Sequence, residues 1–278
     1  MNQKTNNIFL IICLLTALFL MPSCYEHEQG CRDINALNYS VKADLDCDDD
    51  CCNYPGIDIQ MQLVKGNETI DTNSYFDMGF GDSVRIKQMR VYFSDFKIIG
   101  TDSKIYPIWQ DNLLGIKSNN TLEFKKINYA AMKFKPESNR YNIGEFRNLV
   151  KASQLEFIFG LQSHVNHAVT DKITESNPLY QGKDNMYIND DIGYYFLKMT
   201  LQSKKDPQNF IFIEISGDEN IRPISVSGVF DLTSRKNHLF NLNLDVLSLF
   251  KGINPDDDVN VKKSKILDNI DESITLKP

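Results

Sequence analysis

Apolar side chains alternate with polar ones along much of the chain, and this period of two constrains the fold more than any other feature. The pattern is clearest at Ile57, Ile59, Met61 and Leu63, which are separated by single polar residues. Successive side chains of a β-strand point to opposite faces of the sheet, so the pattern predicts a strand with one buried face. Seven further segments, separated by turn residues, are predicted strands. They are Val84–Ile99, Leu122–Phe134, Leu155–Phe159, Tyr194–Leu201, Phe210–Ile215, Ile224–Phe230 and Leu239–Val246.

Helical spacing is confined to two short segments, Ile143–Ala152 and Val246–Phe250. About eight strands without alternating helices predict an all-β fold, namely an antiparallel β-sandwich with long loops and one or two short helices. We expect the tail after Asn254 to be loose or to lie at a sheet edge.

The amino-terminal residues are typical of an export signal. A mostly apolar run from Ile8 to Met21 follows the single charge of Lys4, and it is shorter than the ~20 residues that a membrane-spanning helix needs. The run ends in Leu-Met-Pro-Ser-Cys, which resembles a bacterial lipobox and predicts acylation of Cys24. The alternative is ordinary secretory cleavage nearby. Acylation would anchor the protein in the bacterial cell envelope, at the outer membrane, on its periplasmic face or at the cell surface.

Four cysteines cluster just after this signal, at Cys31, Cys47, Cys51 and Cys52. Clustered cysteines in an exported chain predict two disulfides. A bridge between the adjacent Cys51 and Cys52 would strain the peptide, so Cys31 pairs with one of these two and Cys47 with the other. The alternative is a zinc site, but the cluster contains no histidine.

The cysteine-rich segment carries a recognisable pattern of residues, namely Gly30-Cys31, Asp33, Ala36, Asn38-Tyr39, Cys52 and Tyr54-Pro55. This pattern resembles a small module of exported Bacteroidetes proteins. The resemblance implies a disulfide-stapled spacer without chemistry of its own. We therefore predict a lipoprotein signal peptide at residues 1–23, a lipid-anchored spacer at 24–56 and one β-sandwich domain with a loose tail at 57–278.

Three segments of the large domain carry further motifs. They read VRIKQMRVYFSDFKIIG from Val84, LEFIFGLQSHVNH from Leu155 and NMYINDDIGYYFLKM from Asn185. In this order they resemble the MbnP-like family of exported proteins. Their order and spacing match the family pattern over about residues 57–250. The resemblance implies a β-sandwich in which some members bind copper through histidines and an oxidised tryptophan, made by a di-haem peroxidase-like partner.

Only part of that copper site is carried over to this sequence. Asn166-His167 matches the family's Asn-His pair, so the resemblance makes His167 the inherited ligand. Ser94 stands in place of a strand histidine, and Ile188 and Asp190 stand in place of two tryptophans. The single tryptophan, Trp109, lies in another segment. The sequence therefore predicts a partly eroded copper site and puts the haem-enzyme partnership in doubt.

Two loop histidines, His164 and His167, are the candidate metal ligands, because neutral imidazole binds copper and zinc. Two donors are too few for a tight site, and a third could be His238, Met186, Asp184 or a neighbouring carboxylate. The alternative is a pair of loop histidines bonded to backbone or water.

Net charge and the lack of catalytic motifs narrow the function further. A formal charge of −7 argues against nucleic-acid binding. No nucleophile elbow, P-loop or zinc-protease motif is present, so we predict no enzyme, with an envelope hydrolase as the remote alternative. Two functions stay open. One is an exported binding module with an unknown protein or glycan partner, and the other is a copper-binding envelope protein using His167 and His164.

Overall fold

A computed structural model describes residues 26–47, 51–77, 83–118, 121–138, 140–182, 184–254 and 256–277. Cys24 and the export signal lie outside the described residues. The described chain divides into two compact units. The small unit extends to Ile34 and resumes from Asn38 to Cys52, whereas the large unit holds Asn35–Leu37 and the chain from Asn53 onward.

The small unit is built on disulfides and one short parallel pair. Strands β1 (Gln29–Gly30) and β2 (Leu45–Asp46) pair in parallel. Cys31 is bridged to Cys52 and Cys47 to Cys51, with Cα atoms 5.1 Å and 6.0 Å apart. The prediction of two disulfides is confirmed, and this is one of the two pairings that the sequence left open. The sulfurs of Cys47, Cys51 and Cys52 lie close enough together to suggest a metal site, but each is held in a disulfide.

Strands dominate the large unit. In chain order they are β3 (Gly56–Lys65), β4 (Glu68–Thr69), β5 (Phe76–Asp77), β6 (Ser83–Gly100), β7 (Ile105–Pro107), β8 (Asp111–Ser118), β9 (Thr121–Asn128), β10 (Ala131–Phe134), β11 (Arg140–Glu145), β12 (Val150–Phe159), β13 (Tyr187–Asn189), β14 (Gly193–Ser203), β15 (Phe210–Ser216), β16 (Arg222–Leu232), β17 (His238–Asp245) and β18 (Ile274–Leu276). The helices are α1 (Ser163–Asn166), α2 (Val246–Leu249) and α3 (Val259–Asn269), with a 3₁₀ turn at Asp218–Asn220.

Within the described residues the strands form two main sheets and a hairpin. The larger sheet has the order β13-β14-β6-β12-β16, with β5, β7 and β10 also paired to β6 and β15 to β14. The smaller sheet has the order β11-β3-β17-β18, with β4 paired to β3, and β8 pairs with β9 alone. The all-β sandwich is confirmed. Most pairs are antiparallel, but β17 runs parallel to β3.

One hydrophobic core draws on the inward faces of both main sheets. Ile57, Ile59, Met61 and Leu63 are each at most 2% exposed, so the alternation along β3 places every second side chain inside. The long strand β6 supplies the opposite wall and carries a bulge. Asp95 takes a left-handed backbone (φ 56°) where the register of β6 against β12 shifts. Among the described helices, none is long and apolar enough to cross a membrane.

The predicted helix at Ile143–Ala152 is wrong. The segment instead finishes β11, turns, and starts β12. Its apolar spacing suits a helix, but Gly144 has a φ of 121° and a Cβ there would lie 2.2 Å from the carbonyl oxygen of Trp109. Pairing of β11 with β3 and of β12 with β6 and β16 therefore overrides the local pattern. The predicted short helix is present as α2.

The segment after Asn254 is not a loose tail. The side chain of Asp258 accepts a hydrogen bond from the Asn260 N–H (2.8 Å) and caps α3. After the helix, β18 pairs with β17 and forms an edge of the smaller sheet. Asp258, the last residue of the run of aspartates, is thus the N-cap of α3.

Candidate functional site

The candidate metal ligands lie on a short loop and helix that follow β12. Gly160 takes a left-handed backbone (φ 99°), and a Cβ there would lie 2.6 Å from the ring of Phe196. The chain then enters the single turn of α1, which carries His164 and is followed by His167. Glycine is needed here because the backbone passes so close to the aromatic core.

The Asn166 side chain joins this helix to β14 and to the 3₁₀ turn. Its Oδ1 accepts a hydrogen bond from the Tyr194 N–H (2.8 Å). Its Nδ2 donates to the Ile192 carbonyl (3.1 Å) and to Asp218 Oδ1 (2.9 Å). Asn166 is fully buried, and a Cβ on Gly193 would lie 2.3 Å from its Oδ1. The asparagine of the Asn-His pair is therefore structural.

His167 lies half-buried between two acidic residues. Its Nδ1 is 3.3 Å from the Asp190 carbonyl oxygen, and its Nε2 is 3.4 Å from Asp218 Oδ2. Burial alone would raise the pKa of Asp218, but hydrogen bonds from Ser163 and Asn166 and the nearby imidazole outweigh it, so the pKa is lowered. Its Nε2 is also 3.5 Å from Asn166 Nδ2. A cation between His167 Nε2 and the Asp218 carboxylate could be bound by both atoms.

Ser94 occupies the position of the family's strand histidine and is fully buried. Its Oγ donates to the Gly160 carbonyl (2.5 Å) and lies 2.6 Å from the Tyr129 hydroxyl, which accepts a hydrogen bond from the Gln162 N–H (2.8 Å). Burial raises the pKa of Tyr129 well above its usual range. The serine thus ties β6 to the loop before α1, and its oxygen is already hydrogen-bonded.

Asp190 stands at one of the two tryptophan positions and faces a lysine. Its Oδ2 is 2.5 Å from Lys117 Nζ, and its Oδ1 accepts a hydrogen bond from the Tyr187 hydroxyl. The hydrogen bond from Lys117, followed by that from Tyr187, lowers the pKa of Asp190. Ile188, at the other tryptophan position, is half-buried in β13. The carboxylate of Asp190 is thus ion-paired, and its carbonyl oxygen is what contacts His167.

The remaining candidate ligands are held elsewhere. The exposed His164 meets the ring of Tyr129 edge-on, with centroids 5.8 Å apart. Met186 is 1% exposed within the hydrophobic core. Asp184 pairs with Lys133 and Lys135.

His238 lies at the other end of the strands. Strands β12 and β16 pair from Val150 opposite Leu232 to Phe159 opposite Arg222, and α1 follows the Phe159 end. His238 comes after Leu232 and therefore lies near the opposite end of this pair of strands. The ten residues of β12 span about 33 Å between the two ends. Burial, then Lys236, lowers the pKa of His238, and its buried Nε2 has no hydrogen-bond partner in the described chain. Among the described residues, His167 does not belong to any group of three His, Cys or carboxylate donors whose ligand atoms lie within 4.8 Å of one another.

Two features of this region were not predicted from the sequence. Asp218 belongs to a Gly-Asp-Glu-Asn segment between two predicted strands, 52 positions along the chain from Asn166. Lys117 lies on the hairpin strand β8, and it carried no sequence signal that linked it to Asp190. A Gly-Asp turn before a strand is too common to have pointed to the site.

Comparison with known proteins decides the family. The family model for MbnP matches residues 54–267. The chain belongs to the MbnP family. Among solved structures, MbnP from Methylosinus trichosporium is similar at 15% identity, covering 71% of this chain and 78% of that one, with a TM-score of 0.46. A search of curated proteins found no match.

Proposed function

We propose that this MbnP-family chain is an exported, lipid-anchored envelope protein that acts as a binding module with a partly eroded copper site. The apolar run before Leu-Met-Pro-Ser-Cys24 supports the anchor. We further propose that it is not an enzyme and that it carries no resident metal.

The eroded-site proposal depends on the contacts made at two positions where the family's ligands are replaced. Ser94 is hydrogen-bonded to the Gly160 carbonyl and close to Tyr129, and the Asp190 carboxylate is paired with Lys117. Neither side chain offers the nitrogen or sulfur donors that copper prefers.

A functional copper or transition-metal protein is the second candidate. It is supported by the half-exposed His167 Nε2 and Asp218 Oδ2, whose 3.4 Å separation a cation could bridge. His164 would be the other imidazole on the same short helix. This set has two nitrogen donors and one carboxylate, so it would bind more weakly than a site with three nitrogen or sulfur donors.

The proposed partner is an envelope protein or a glycan that contacts the long loops. A di-haem peroxidase-like partner is not part of the proposal, because the positions that would carry the oxidised tryptophan are Ile188 and Asp190. Trp109 packs against the Arg147 guanidinium at 4.8 Å instead.

Copper titration of the purified protein, with elemental analysis of protein taken from its envelope, tests the two candidates. We expect no tightly bound stoichiometric copper. Any weak binding should be lost in His167→Ala and should weaken on acidification, since a protonated imidazole cannot bind a metal. His27→Ala, an exposed histidine in the small unit, is the matched control. One tightly bound copper per chain that His167→Ala abolishes would establish the second candidate instead.

A further inference from the structure

Three cationic side chains lie together on one part of the larger sheet. Arg90 is in β6, Lys133 is in β10, and Lys135 directly follows β10. The register places Phe134 opposite Val91, so Lys135 comes next to Arg90 across the pair. The three side chains are only 13%, 6% and 23% exposed. Buried like charges repel one another strongly unless a counter-ion is present.

One buried carboxylate serves all three cations. Asp184 Oδ2 is 2.9 Å from Lys133 Nζ and 2.7 Å from Lys135 Nζ, and its Oδ1 is 3.5 Å from Arg90 Nε. Asp184 and Asn185 both take left-handed backbone conformations, with φ values of 66° and 50°. Asp and Asn adopt this conformation more readily than other non-glycine residues, and both lie in a turn here.

The positive charge of the cluster exceeds its buried negative charge. Glu137 also pairs with Arg90, at 3.1 Å, but its side chain is 51% exposed and is therefore largely screened. Arg90 Nε is buried and has no hydrogen-bond acceptor within the described residues. Counted by side chains that are at most 23% exposed, the cluster holds three cations against one carboxylate.

A cavity of about 390 Å³ opens directly beside the two lysines. Lys133, Lys135 and Arg140 line it, and Ser138, Ser176 and Asn177 add polar groups. Glu175 is the acidic residue on its wall. The volume lies in the range of small-molecule sites.

We propose that this cavity binds a small anion that carries a carboxylate or a phosphate group, held by the ammonium groups of Lys133 and Lys135. The ammonium of Lys135 has three N–H donors, and the Asp184 oxygen at 2.7 Å is one acceptor for it. An incoming anion would supply further acceptors and offset the surplus positive charge. This binding site is separate from the proposed copper chemistry and does not rest on it.

Calorimetric titration of the purified protein with inorganic phosphate and with succinate, at ionic strength matched by sodium chloride, tests the proposal. We expect saturable binding of at least one of these anions, and the one that binds identifies the recognised group. Lys135→Met should raise the Kd about tenfold, as expected for the loss of one charge-assisted contact. Lys125→Met is the matched control, since Lys125 also pairs with a carboxylate, at 2.6 Å from Glu123, but is exposed on β9.

A second variant gives an effect of the opposite sign. Asp184→Asn removes the internal counter-ion at nearly constant size, and we expect it to lower the Kd several-fold because the cations then lack their carboxylate. Arg140→Gln, at an exposed position on the cavity wall, should raise the Kd and gives a further readout if a buried variant fails to fold. The proposal is overturned if neither anion binds the wild-type protein saturably, or if the Lys135, Arg140 and Lys125 variants all bind as the wild type does.

Discussion

Replacing Asn166 with alanine separates the structural half of the Asn-His pair from its candidate ligand. The Tyr194 N–H, which is buried, would lose its acceptor, and the Ile192 carbonyl and Asp218 Oδ1 would lose their donor. A buried donor left without a partner costs about 1–3 kcal/mol, and each further hydrogen bond contributes about 0.5–1.5 kcal/mol. We therefore expect Asn166→Ala to lower the free energy of unfolding by about 2–6 kcal/mol.

Chemical denaturation of the purified variant measures this loss. In a thermal scan, 1 kcal/mol corresponds to roughly 2–4 °C in Tm for a domain of this size, so the expected drop in Tm is about 4–24 °C. His167→Ala is the matched control. Its side chain is 35% exposed and its contacts are 3.3 Å and 3.4 Å long, so we expect a change within about 1 kcal/mol. Equal effects of the two substitutions would refute the assignment of Asn166 as the residue that joins α1 to β14.

Three further predictions concern the turn beside Asn166, the cation cluster and the anchor. Gly193→Ala should destabilise the protein more than Gly66→Ala in chemical denaturation, because both positions have positive φ but only at Gly193 would the new Cβ meet Asn166, 2.3 Å from Oδ1. At Asp184, burial raises the pKa, but hydrogen bonds from the neighbouring lysines outweigh it and lower the pKa well below its usual range. The pKa of Asp184 is thus lower in the folded state than in the unfolded state. Its contribution to stability is therefore present above about pH 4 and is lost as the pH falls below that value. We expect Asp184→Asn to reduce the acid sensitivity of unfolding. Cys24→Ser should abolish acylation and move the protein from the membrane fraction to the soluble fraction; a variant that stays membrane-bound, with no acyl group found on the wild type by mass spectrometry, would contradict the lipobox prediction.

The site shows how far local sequence signals reach. His167 was identified because the Asn-His pair is contiguous and resembles a family motif, and Ser94 and Asp190 were identified as departures from it. Asp218 was missed as a partner, because a Gly-Asp turn far along the chain carries no sign that it folds back onto α1. His238 begins β17, and the pairing of β12 with β16 places it at the end of these strands opposite α1.

The sequence by itself determined the class of fold, because the period of two at Ile57–Leu63 is a local consequence of strand geometry and of the need to bury one face. It also determined that the cysteines would pair, because four thiols within so short a segment leave few alternatives. The tertiary structure decided which strands meet. The parallel pairing of β3 with β17 joins residues 181 positions apart, as in the Gln62–Asn243 hydrogen bond, and no local pattern encodes such a contact. The Ile143–Ala152 segment likewise forms strands despite its helical spacing, because pairing with β3, β6 and β16 and burial in two sheets outweigh the preference of one short segment.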